Sequence, residues 1–594
     1  MKQFLKYVLA TIVGIACISV FTLVLSFIVM GVIAASSDSK PTIKDGTVLR
    51  ISLSGSITER SNDNPFAKYL GNDAADNQGL DDILKAIKVA KTDKRISGIY
   101  LEGGVLSTDY ATLQELRHAL MDFKQSKKFI VAYADSYTQG SYYLASTADK
   151  LFVNPSGMID WHGIASQPIF YTDLLKKVGV KMQVFKVGTY KSAVEPFILT
   201  GMSDANREQV QSFVGSIWQQ VCKDVAASRR LAVDSLNAYA DRYTTFADPK
   251  QYVATRLVDS LTYDDGVRQV LRACSKQDKV NFIDPAQLAK LDVAPTSGDG
   301  AIAVYYAEGD IVIVDEAAHT NFSGEMSQIV GSKVVADLDK LANDDKVKAV
   351  VLRINSGGGS AYASEQMWRA IQLLKQKKPV VVSMSGMAAS GGYYMSCGAD
   401  YIVAEPTTLT GSIGIFGMIP DASGLLTEKL GLHFDVVKTN KASDFGAMGR
   451  GFNADEAAAM QGYVNRGYRL FLSRVAAGRH MTPTQVDRIA QGRVWTGSQA
   501  LGIKLVDKLG TLDDAIAVAA QRAGLKSYYL TSCPQKSSWI DQFLDSTVKR
   551  DYMEEKLQTA LGEYYQPLRF VGGLRSFDAK SCVQARMFYV PNVK

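Results

Sequence analysis

Ser390 stands in the run Met387-Ala388-Ala389-Ser390-Gly391-Gly392, where a strand signal gives way to a helical one. A hydroxyl at the start of a helix faces free backbone N–H groups. Gly391 offers its amide there with no side chain in the way, so a developing oxyanion can be held beside the serine. A second small-residue run, Gly357-Gly358-Gly359-Ser360, follows the preceding strand signal. In a parallel sheet its position is on the same edge as the serine turn, and a backbone N–H from it can complete an oxyanion hole. The chemistry these residues allow is acyl transfer through a covalent serine ester. The plainer alternative is that the serine and glycines simply permit close helix–strand packing.

A serine nucleophile needs a base. The chain has five histidines, His118, His162, His319, His433 and His480, none in a distinctive motif, and no G-x-S-x-G elbow occurs. A lysine does the same work if its amine is neutral. One candidate lies in Gly188-Thr189-Tyr190-Lys191-Ser192-Ala193-Val194-Glu195-Pro196-Phe197. Lys441 is its main rival, and taken alone Lys191 reads as one more surface lysine.

The elements that must position these residues occur twice. Gly140, Tyr142, Tyr143, Ala148 and Asp149 match Gly391, Tyr393, Tyr394, Ala399 and Asp400. Val48–Ile57 resembles Ile302–Ile311, and Leu257-Val258-Asp259 recurs as Leu505-Val506-Asp507. The offset stays at about 250 residues, so the chain contains a duplicated domain. The second copy predicts strands over Val347–Ile354, Pro379–Met384 and Tyr401–Ala404. Between them lie a glycine turn at 357–359, a helix over Ser364–Lys375, a small-residue turn over Ser385–Ser390 and a short helix over Gly391–Cys397. Longer helices follow over Ala454–Ala477 and Thr484–Gln491. This β-α-β-α-β order implies parallel strands and an α/β fold. The copies differ where chemistry would sit: Gln139 takes the place of Ser390, the triple glycine is absent from the first copy, and Ser443 in the loop 438–446 takes the place of Lys191.

With 594 residues the chain is long enough for several domains. Its composition, 47% apolar and 21% charged with a net charge of +6, is that of a globular protein, and no basic cluster interleaved with aromatics points to nucleic acid. No charged residue occurs from Val8 to Ala35, and Ile12–Ile33 is nearly all apolar. That predicts one uncleaved membrane-spanning helix. Lys2 and Lys6 before it place the N-terminus in the cytoplasm and the body outside. Six cysteines form no C-x-x-C pair, so no zinc or redox motif is expected. Cys533–Cys582 is the most plausible bridge, with buried free thiols the alternative. The expected organisation is an anchor over 1–36, copies over 45–295 and 300–525, and an extension over 526–594. The extension is rich in tyrosine, phenylalanine and arginine and is expected to pack on the body or on a neighbouring subunit.

The S-G-M-A-A-S-G-G-Y-Y turn, the G-T-Y-K-S-A-V-E-P-F loop, the duplication and the single anchor together resemble the signal peptide peptidase A family in its long, tandem-domain form. The resemblance implies two Clp protease/crotonase-like domains and a Ser–Lys dyad. Carried over by position, Ser390 is the nucleophile and Lys191 the general base. Ser412, in Thr410-Gly411-Ser412-Ile413-Gly414, matches the serine that orients the lysine, and Gly391 and Gly359 match the oxyanion-hole positions. The resemblance further implies signal peptides and other unfolded apolar peptides as substrates, and a homo-oligomer, with a tetramer the expected form. It places the enzyme in the bacterial inner membrane and requires no metal or cofactor. The family loop usually reads Ser-Pro-Gly-Gly, whereas here Gly357 follows Ser356, which frees the backbone at the oxyanion loop. A non-catalytic membrane scaffold and a crotonase-type acyl-CoA enzyme are the rival readings.

Overall fold

The computed structural model describes residues 42–61, 77–291, 297–313, 328–536 and 583–586, with a few isolated positions before residue 42. Apart from the isolated positions Gly14, Ile18 and Phe21, the span expected over Ile12–Ile33 lies outside them. Among the described residues no helix is long and apolar enough to cross a membrane.

Strands of the first copy build one sheet in the order Asn77–Gly79, Thr47–Thr58, Ile96–Ser107, Phe129–Ala134, Lys150–Val153 and Ser260–Leu261. Every pairing in it is parallel. The second copy repeats the pattern with Ala301–Glu308, Val347–Ser356, Val380–Ala389 and Tyr401–Ala404, again parallel. Parallel strands covered by helices on both faces read as continuous apolar runs, and all ten residues of Val380–Ala389 are buried.

Residues matched between the copies make matched bonds. The hydroxyl of Tyr142 donates to the Leu257 carbonyl at 2.8 Å, and that of Tyr393 to the Leu505 carbonyl at 2.9 Å. The carboxylates of Asp149 and Asp400 each accept from a strand amide, Ile130 and Val380, at 2.9 Å. Helices Asp204–Arg229 and Ala454–Arg479 are both 26 residues long. Each ends on a left-handed residue, Arg230 and His480. The repeat read from the sequence is therefore a repeat of packing as well.

Several segments differ from the sequence expectation. The small-residue stretch after Met384 is not a turn: the strand continues through Ala389 and pairs Met387, Ala388 and Ala389 with Leu409, Thr410 and Gly411. Its small side chains serve close approach between the copies, since a Cβ on Gly386 would lie 2.5 Å from the Asp109 carboxylate of the first copy. Gly358–Ser360 is likewise a short strand and not a turn. A third, mixed sheet joins both copies and the extension, in the order Gln328–Val330, Asp310–Val312, Gly358–Ser360, Val583–Arg586, Phe416–Asp421 and Lys181–Lys186. Of the extension, Tyr529–Cys533 adds a parallel strand beside Ala301–Glu308. Cys533 is a free thiol, so the bridge to Cys582 is not formed, and Cys582 itself lies outside the described residues.

The seam between the copies contains a buried ion cluster. Nε of Arg353 donates to Glu59 at 2.8 Å and Nη2 to Glu115 at 2.5 Å, and its other bonds go to the hydroxyls of Ser383 and Ser385 at 3.0 Å. All three charged side chains are at most 4% exposed. Both carboxylates belong to the first copy and the guanidinium to the second. Breaking such a group from one side strands buried charge, at about 3–5 kcal/mol. Arg353→Met should therefore lower stability by about that amount, and adding Glu59→Gln and Glu115→Gln should recover part of it. Chemical denaturation of the three chains checks this; an Arg353→Met chain as stable as the parent would show that the cluster does not hold the seam.

Candidate active site

The pairing of Lys181–Lys186 with Phe416–Asp421 decides where the lysine loop goes. The two strands run antiparallel with Lys186 opposite Phe416. The residues just after Lys186 and those just before Phe416 must therefore run side by side, which brings the Lys191 loop against Ser412. Further bonds fix the loop: the amide of Val187 donates to Ile415 at 3.2 Å and that of Tyr190 to Gln491 at 2.8 Å. Gly492 lies directly behind the lysine. A Cβ there would stand 2.6 Å from the Cα of Lys191, and its φ of +80° also disfavours any side chain. The carboxylate in the loop is turned away: Glu195 accepts from the Ser203 hydroxyl at 2.6 Å and from Asn206 at 2.9 Å.

Ser390 joins the fully buried strand Val380–Ala389 to the helix Gly391–Ser396. Its φ and ψ are 54° and −112°, a sparsely populated conformation for a residue with a side chain. It is held there by its amide, which donates to the Gly411 carbonyl at 2.8 Å, and by its carbonyl, which accepts from Tyr394 at 2.8 Å. Ser412 also has a positive φ, 47°, and its amide donates to Arg493 at 2.7 Å.

These constraints put three polar atoms around one amine. Nζ of Lys191 lies 2.7 Å from Oγ of Ser390, 3.0 Å from Oγ of Ser412 and 3.1 Å from the Ser412 carbonyl. A neutral amine has two N–H donors and one lone pair. The Ser412 carbonyl can only accept, and the Ser412 hydroxyl can accept beside it. The lone pair is then free for the proton of Ser390. Lys191 is 1% exposed, and burial lowers its pKa to about 7. Val194 and Phe197 of the same loop pack with Met182, Phe416 and Met418.

The other expected residues take distinct places. Gly391 is the first residue of the short helix, and Gly359 lies in the strand Gly358–Ser360. The glycine loop and the serine turn touch: a Cβ on Gly391 would lie 3.1 Å from the Cα of Gly358. Where the family has proline, hydrogen bonds of Ser356 pin the loop instead, its hydroxyl donating to Gly309 at 2.7 Å and accepting from the Gly358 amide at 3.1 Å. The rival Lys441 is 87% exposed and paired with Asp455 at 2.5 Å, which raises its pKa. His118 and His162 are committed to Glu405 and Asp160, and His319 lies outside the described residues. Among the described residues no group of His, Cys, Asp or Glu is arranged to hold a metal ion.

The matching position in the first copy is filled. Gln139 is buried, donates to the Tyr110 hydroxyl at 2.8 Å and to Gly163 at 3.0 Å, and accepts from His162 and Gly163. Sequence reasoning missed Gly492, Gln491 and Arg353. The glycine at 492 is the one local signal that could have pointed to a close backbone approach.

The model of peptidase family S49 matches the chain twice, over residues 122–278 and 372–526. The Clp protease model matches 312–407, in keeping with the two parallel α/β copies. Protease 4 of Salmonella typhi is 37% identical over 549 residues, covering 89% of this chain and 87% of that protein. Protease 4 of Haemophilus influenzae is 36% identical, covering 74% and 72%. The chloroplastic serine protease SPPA of Arabidopsis thaliana is 31% identical, covering 81% and 70%. With two matched S49 segments and relatives similar along most of its length, this chain belongs to peptidase family S49 and is a serine protease.

Proposed function

We propose that Ser390 is the nucleophile and Lys191 the general base of an endopeptidase that hydrolyses extended apolar peptides, remnant signal peptides among them. The observation that carries this reading is the 2.7 Å contact between the two side chains inside a buried seam. Oγ of Ser390 attacks the scissile carbonyl while Nζ of Lys191 takes its proton. The oxyanion forms against the amides of Gly391 and Gly359. Lys191 returns the proton to the leaving amine, and water hydrolyses the ester with the same amine as base. Ser412 holds the amine in line. The small residues around Ser390 favour small or apolar side chains, and the neighbouring strands Gly358–Ser360 and Phe416–Asp421 favour extended, unfolded segments. The uncharged stretch Val8–Ala35 after Lys2 and Lys6 supports a single-pass anchor in the bacterial inner membrane with the catalytic body outside. In this reading the subunits assemble as a homo-oligomer, a tetramer.

Ser390→Ala should abolish peptide hydrolysis with the fold intact, since Ala388 and Ala389 beside it are already small; turnover at the parent rate would remove Ser390 from the mechanism. Lys191→Arg should lose about 10²–10⁴-fold in kcat, because a guanidinium stays protonated in this range. Gly492→Ala should lose at least about tenfold by displacing Lys191. Lys441→Ala should leave activity near the parent's, and a dead Lys441→Ala would reverse the assignment of the base.

The pH dependence follows from the lowered lysine pKa. Activity should rise as Lys191 deprotonates, with a midpoint at about 7. Folded Lys191 holds its proton less tightly than the unfolded chain, whose lysines titrate at ~10.4. Between those values the unfolded state binds more protons, so stability rises with pH. The cost of burying Lys191 is therefore complete below about 7 and fades toward ~10.4. Lys191→Met should be inactive yet raise the unfolding midpoint, by more at pH ~6 than at pH ~10. Equal gains at both pH values would show that the amine is not desolvated.

A further inference from the structure

A strand of the chain's own extension lies beside the serine turn. Val583–Arg586 is inserted between Gly358–Ser360 and Phe416–Gly417 and runs antiparallel to both. Gly359 stands opposite Ala585 and Gly358 opposite Arg586. This is how an extended peptide is bound by adding a strand to sheet edges. The carbonyl of Ala585 points at the two glycine segments: its oxygen is 2.0 Å from where a Cβ on Gly358 would be and 3.0 Å from where one on Gly391 would be. At Gly358 only glycine leaves room for that oxygen, and at Gly391 a side chain would press on it. Ala585 and Ser390 are both wholly buried. The bond whose carbonyl meets Gly391 is therefore Ala585–Arg586, with a methyl side chain before it and a cation after it.

The cation has a partner. The guanidinium of Arg586 is paired with the carboxylate of Asp310, each side chain a little over a quarter exposed. Asp310 begins the strand Asp310–Val312, whose next residue, Ile311, pairs with Gly359. The position of the carboxylate is thus tied through the sheet to the glycine that faces Ala585. Neither mechanism nor fold otherwise uses an acidic side chain here.

We propose that Asp310 forms the subsite for a cationic side chain on the residue that follows the scissile bond, and that the chain's Ala585–Arg586 segment is its resident ligand, competing with substrate. The proposal rests on the reading of Ser390 as nucleophile. An extended peptide with a small residue before the bond and arginine or lysine after it is the ligand class the subsite takes.

The test uses full-length chains carrying Ser390→Ala and fluorescent peptides of sequence Val-Gln-Ala-X, X being Arg, Gln or Glu, read by anisotropy. Arginine should bind about 10- to 100-fold more tightly than glutamate, the range for one hydrogen bond between charged groups. Asp310→Asn should erase that preference. Arg586→Glu should tighten every peptide several-fold and keep the preference. The double exchange Asp310→Lys with Arg586→Glu should restore the resident strand and invert the preference toward glutamate. An arginine preference that survives Asp310→Asn, or peptide affinities unmoved by Arg586→Glu, would overturn the proposal. Hydrolysis by the Ser390→Ala chain would instead defeat the reading of the nucleophile, and the binding preferences would still be read.

Discussion

A lysine amine can be uncharged near neutral pH only where water is kept from it, and that requirement governs how the two copies meet. Lys191 belongs to the first copy and Ser390 to the second, so the dry environment cannot be made by either alone. It is made by their seam. The strand pairing of Lys181–Lys186 with Phe416–Asp421 aligns the two loops, and the Gln491–Gly492 segment closes over the lysine backbone. The Arg353 cluster fixes the seam elsewhere. Burying ions is expensive and is offset only by complete hydrogen bonding. Arg353 meets that condition with bonds to two carboxylates and two hydroxyls.

Duplication explains why one seam serves one site. Both copies retain the same strand order and the same tyrosine and aspartate bonds, which hold the serine turn in one and its counterpart in the other. In the first copy that place is occupied by Gln139, whose amide satisfies the surrounding backbone and the Tyr110 hydroxyl. In the second, the loop matching Lys191 carries Lys441 on the surface, paired with Asp455. The serine and the lysine that meet at the seam thus come from different copies.

Strain is concentrated where the proposed chemistry lies. Ser390 and Ser412 both hold positive φ values, which cost about 1–3 kcal/mol each for residues with side chains. Their backbone bonds to Gly411 and Arg493 over-determine them. A serine held this way needs no reorganisation to face the lysine.

The sequence by itself determined the duplication, the parallel α/β order, and the residue types able to do acyl transfer, because these are written in local periodicity, covalent order and spacing. Ser390, Gly391 and the glycine run could be found there, but Lys191 could not be separated from Lys441 without the family resemblance, since a lysine looks the same in any loop. The tertiary structure sets them apart physically, burying one and leaving the other in water. It also turned the small-residue stretch before Ser390 from an expected turn into a strand, because Gly386 and its neighbours admit Asp109 from the other copy. The Arg353 cluster and the entry of Val583–Arg586 beside Ser390 have no local signature at all, and only the glycine at 492 hints at its approach to Lys191. Each joins residues far apart in the chain, and their contacts depend on surfaces that exist only once both copies have folded against one another.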